Sequence, residues 1–88
     1  MSGAVVDKII KARARTHGEF RAVAAVAENI QGAMQRSPNW HKLSTAQRIA
    51  LAEDAVKTAR ILCGDPSFVD HWNDKAGYAQ LIADELSE

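Results

Sequence analysis

Apolar residues recur at helical spacing along nearly the whole chain, and no stretch alternates in the manner of a strand. Over residues 4–15, Val5, Val6, Ile9 and Ile10 fall on one side and Lys8, Lys11, Arg13 and Arg15 mostly on the other, which predicts a basic amphipathic helix. Thr16 and Glu19 then stand at capping-box spacing around Gly18, so the helix breaks or bends there. Over 19–35 the seam Phe20, Val23, Ala27, Ile30 and Met34 predicts a second helix. The longest connection, 36–43, contains Pro38, and Ser44 with Gln47 forms another capping box, so a helix resumes near Thr45. It carries Ile49, Ala52, Val56, Ala59 and Cys63 in one stripe and is expected to end at Gly64 in the left-handed conformation. Asp65 and Pro66 read as the N-cap and first residue of a last helix with the seam Val69, Trp72, Ala76, Ala79, Ala83 and Leu86, on which Trp72 is expected to be mostly buried. The fold class expected is all-α: three main helices in a bundle, the first with a basic N-terminal extension.

The 88 residues make one domain, with 1–15 as the basic amphipathic segment and 16–88 as the bundle core. A chain of this size buries only about 60% of its unfolded surface, and alanine-lined seams add little, so a homo-oligomer is expected to complete the bundle. Cys63 is the single cysteine and has no disulfide partner within the chain, which fits a reducing compartment. No apolar run approaches the roughly 20 residues of a membrane span, and no secretory leader is legible, so the expected location is the cytoplasm.

Net charge is zero but segregated. Residues 1–48 hold eight bases against three acids, giving +5, and residues 49–88 hold three bases against eight acids, giving −5. Opposite halves favour pairing within or between subunits, whereas direct nucleic-acid binding calls for a net basic domain and is not expected.

Candidate chemistry concentrates in 64–78. Asp70 and Asp74 lie four residues apart on one helical face, where like charges repel unless a metal, a base or the helix dipole compensates. Magnesium held by one or two such carboxylates, with water and phosphate completing the shell, is one reading; acids favoured in a first helical turn is the other. Glu53, Lys57 and Arg60 share one face, as a surface pair or with Lys57 and Arg60 turned toward Asp70, Asp74 or a phosphate. His17 and Glu19 sit at the helix break, where Glu19 serves as a cap or as a metal ligand or general base. Tyr78 is placed to hydrogen-bond Asp74 one turn earlier. His41 and His71 lack ligand-spaced companions, so zinc is not expected, and no nucleophile with its base or glycine-rich phosphate loop assigns catalytic residues.

His17-Gly18-Glu19-Phe20, Lys57-Thr58-Ala59-Arg60-Ile61-Leu62, Gly64-Asp65-Pro66, Asp70-His71-Trp72-Asn73-Asp74 and Ala76-Gly77-Tyr78 together resemble a family of small phage and prophage proteins of unassigned function. That family is in turn distantly similar to the MazG-like all-α nucleotide pyrophosphohydrolases, helical bundles that assemble as dimers or tetramers and use magnesium. The resemblance implies Glu19, Asp70 and Asp74 as metal-facing acids and Lys57 and Arg60 as phosphate contacts. The chain departs from the EExxE and ExxD helices of those enzymes, since Glu19 and Glu28 stand alone and the later acids are Asp70 and Asp74. Two functions are therefore expected. One is a phage-type protein that binds, and in one version hydrolyses, a nucleotide or other phosphate-containing ligand through His17, Glu19, Lys57, Arg60, Asp70, Asp74 and Tyr78. The other is a non-enzymatic oligomeric module that inhibits a host protein or nucleoprotein complex, such as an antiviral defence system.

Overall fold

The ends of the central helix are fixed differently, one by a close approach of the backbone and the other by a local cap. The computed structural model describes residues 3–88; residues 1 and 2 of the expected N-terminal segment lie outside the described residues. Four helices follow in order, α1 (Gly3–His17), α2 (Phe20–Gln35), α3 (Thr45–Cys63) and α4 (Val69–Leu86), with one 3-10 turn at Trp40–Lys42 between α2 and α3. The chain is all-α, and no strand occurs among the described residues. The basic extension is thus a full helix, which raises the expected three main helices to four.

α3 is the centre, packed by α2 on one side and α4 on the other, with α1 against α3 and α2. Val23, Ala27 and Ala59 form the buried cluster, with Val26, Val56 and Cys63 packed around it. Ala55 and Ala59 are sealed completely because their short side chains let two neighbouring helices approach α3 closely. Ile61 is also buried and shares a face with Asp54 and Lys57, which points to α4 and which a single-stripe reading of α3 misses.

The close approach is at the helix breaks. Gly18 adopts φ +83°, a conformation open to glycine, and lies so close to Cys63 that an added Cβ would come within 2.7 Å of its side chain. Gly64 stands against Thr16 and Gly18 in return; its φ of −114° is negative, so it is kept for closeness and not for a left-handed cap. At the other end of α3, Ser44 and Gln47 form the expected reciprocal capping box, with bonds of 3.1 and 2.8 Å.

Three local expectations are corrected. Thr16 belongs to the last turn of α1, and Glu19 itself caps α2 by accepting from the Ala22 amide at 3.1 Å. Asp65 is not an N-cap: its carboxylate accepts from the Ser67 amide at 2.9 Å in a turn that precedes α4, and Phe68 holds the cap position. The third concerns α4. Its residues toward α3 are His71, Lys75, Tyr78 and Ile82, buried or half-buried, whereas Trp72, Ala76, Ala79 and Ala83 are exposed. The two sets differ by one position, so α4 is rolled by about 100° from the orientation that its apolar seam predicts. Ion pairs Lys75–Asp54 at 2.9 Å and Lys57–Asp74 at 2.8 Å span the α3–α4 contact and hold that roll. Trp72 is half exposed, its indole N–H donating to the Pro66 carbonyl at 2.7 Å.

Candidate functional site

The α1–α2 break and the α3–α4 connection meet at one end of the bundle. The Thr16 carbonyl, in the last turn of α1 and so without an intrahelical partner, accepts from the Asp65 amide at 3.2 Å and from His71 Nε2–H at 2.9 Å. His71 is fully buried, edge-on to His17 with ring centroids 4.6 Å apart and to Phe68 at 5.0 Å. A histidine that looks isolated along the chain therefore joins α1 to α4.

Beside this junction α1, α2 and α3 line an open cavity of about 500 Å³. Ile10, Phe20, Val23 and Val56 give it apolar walls, and Arg13, His17, Glu19 and Arg60 supply its polar groups. Arg13 and His17 come one turn apart on α1, Arg60 comes from the last turn of α3, and Glu19 from the break. His17 Nδ1 lies 2.6 Å from Thr16 Oγ1, and that hydroxyl also reaches the Arg13 carbonyl at 3.2 Å. Burial, followed by the electrostatic influence of neighbours led by the Arg13 guanidinium, holds the His17 pKa below its ordinary value of 6.5. The cavity is therefore electropositive on one side and apolar on the other, a combination suited to an anion with an apolar body.

Of the seven expected ligand residues, three share this cavity: His17, Glu19 and Arg60. Lys57 is turned toward α4 and paired with Asp74, whose carboxyl this hydrogen bond keeps below the usual carboxylate range. The base facing Asp74 is thus Lys57 and not Arg60. Asp74 and Tyr78 line a shallow recess along α4, apart from the cavity, and Asp70 is exposed in the first turn of that helix. Glu19, Asp70 and Asp74 do not converge, and among the described residues no three His, Cys, Asp or Glu side chains are grouped to hold a metal ion. Arg13, counted in the sequence only as charge, also lines the cavity; its i, i+4 relation to His17 in the last turns of α1 is the signal that points to it. No family model, curated protein or solved structure matches this chain.

Proposed function

We propose that this chain binds a phosphate-bearing small molecule, of the nucleotide class, in the cavity between α1, α2 and α3. The observation that carries the reading is the convergence of Arg13, His17 and Arg60 on one cavity with apolar walls. A guanidinium presents a planar fork that matches phosphate oxygens, and two of them from different helices fix a phosphate better than one flexible side chain. The apolar walls then receive a base or another unsaturated body, and the volume accommodates a small ligand. Glu19, engaged with the Ala22 amide, stands where a ribose hydroxyl or an exocyclic amine would donate to its remaining oxygen. The resemblance to a phage family that is itself distantly similar to the MazG-like pyrophosphohydrolases favours a nucleotide over other phosphates, and pairing of Asp74 with Lys57 favours binding over hydrolysis.

Thermal unfolding in the presence of nucleoside mono-, di- and triphosphates, with and without magnesium, tests this directly. A ligand that binds only the folded chain stabilises it by about 2.7 kcal/mol at a hundredfold excess over its Kd. The expected result is a raised Tm that Arg60→Gln and Arg13→Gln each remove. No rise with any of these nucleotides at millimolar concentration overturns the proposal, and release of pyrophosphate in the same mixtures would add turnover to binding.

A further inference from the structure

One group on the cavity wall has a charge that is not fixed. A guanidinium is charged at any working pH, whereas an imidazole gains or loses its charge near neutrality, and His17 stands between Arg13 and Arg60 on that wall. Its hydrogen bonds suit either form. The Thr16 hydroxyl donates to the Arg13 carbonyl at 3.2 Å, so at 2.6 Å it accepts from His17 Nδ1–H. Nε2 is then the nitrogen that takes up the second proton, and the Nδ1 bond, which runs through the hydroxyl to a backbone carbonyl, persists in both states. Burial opposes the charged form first, then the Arg13 guanidinium on α1, with His71 of α4 and Arg60 of α3 contributing less. The His71 ring meets His17 edge-on at 4.6 Å. Glu19, the acid among the lining residues, is engaged at the Ala22 amide, and the Asp65 carboxylate at that of Ser67.

An anion reverses this balance. Phosphate oxygens paired with Arg13 and Arg60 cancel the charges that repel a proton from His17 and bring negative charge to its side. We propose, resting on the phosphate-binding reading of this cavity, that the ligand is bound together with a proton: His17 becomes imidazolium as the phosphate settles, and affinity gains from His17 as pH falls below neutrality. The coupling is reciprocal, since a group that binds a proton more tightly in the complex binds the anion more tightly when protonated. Acid, which removes the contribution of His17 to the stability of the free chain, therefore strengthens the complex.

Titration of the His17 ring by NMR in the full chain, its signal assigned through the backbone, tests this with AMP and ATP as probes. In the free protein the midpoint is expected below 6.5, and Arg13→Gln is expected to raise it with no nucleotide present. With either nucleotide saturating, the wild-type midpoint is expected to rise by about one unit or more, the shift that an opposite charge a few ångströms away produces. The affinity advantage of wild type over His17→Gln then grows about tenfold from the alkaline to the acid side of the titration; the comparison removes protonation of the nucleotide's own phosphate, which is common to both proteins. Nucleotide binding at the cavity with the His17 midpoint unmoved or lowered overturns the coupling and leaves the binding reading intact. A free midpoint that Arg13→Gln does not raise also overturns it. Absence of any change in cavity signals or in Tm with both nucleotides overturns the coupling and the binding reading together.

Discussion

His71 shows how much one side chain can decide in a chain this small. It is the largest side chain fully removed from solvent, yet what it contributes is a bond: its Nε2–H reaches the Thr16 carbonyl 55 residues earlier, at an acceptor that α1 cannot satisfy internally. Replacing it with alanine opens a cavity next to Phe68 and removes one of the two donors to that carbonyl, so His71→Ala is expected to cost about 3 kcal/mol in chemical denaturation. Gly64 works by having no side chain. An added Cβ would sit 2.6 Å from the Gly18 amide nitrogen, and the opposing atoms are backbone, which cannot swing aside. Both residues were visible along the chain. Their roles were not, because each depends on Thr16 and Gly18, which only folding brings near.

Among the helices, α2 behaves largely as its apolar spacing requires and α4 does not; on α3 Ala52, Val56, Ala59 and Cys63 keep to the expected stripe, while Ile49 at its start is 58% exposed and Ile61, off the stripe, is buried. Val23 and Ala27 of the α2 seam are buried, Ile30 and Met34 are half-buried, and only Phe20 at the start stands out, at 79% exposure. On α4 the bonds of His71, Lys75 and Asp74 to Thr16, Asp54 and Lys57 prevail over the apolar stripe one position away. Trp72 bears the consequence. A fully buried tryptophan costs about 3 to 5 kcal/mol on truncation to alanine, but with half its surface already in water Trp72→Ala is expected to cost about 1 to 2 kcal/mol in the dilute chain. A loss as large as the fully buried value would mean that the indole is covered in solution.

The molecule as a whole is thinly cored: Val23, Ala27, Ala55, Ala59 and Ile61 are the buried apolar residues described, and three of the five are alanines. Stability then leans on polar contacts and should respond to pH. The His17 pKa is lowered by folding, so the unfolded chain binds that proton more readily; stability is full above 6.5 and falls as pH drops through 6.5 toward the lowered value. The Asp74 carboxyl is also lowered, chiefly by its bond to Lys57, so its contribution is present above 3.8 and is lost as pH falls through the folded value. Urea titrations are expected to show two declines on acidification, the upper absent in His17→Gln and the lower reduced in Asp74→Asn. Helix content, the Ser44 cap, the break near Gly18 and the segregation of charge were legible from local spacing, because each depends on neighbours within a few residues. The roll of α4, the burial of His71 and the grouping of Arg13, His17 and Arg60 were settled by tertiary packing. Hydrophobic periodicity says which face of a helix is apolar, but several directional bonds to a neighbouring helix can outweigh burial of a few alanines, and only the assembled fold shows which prevails.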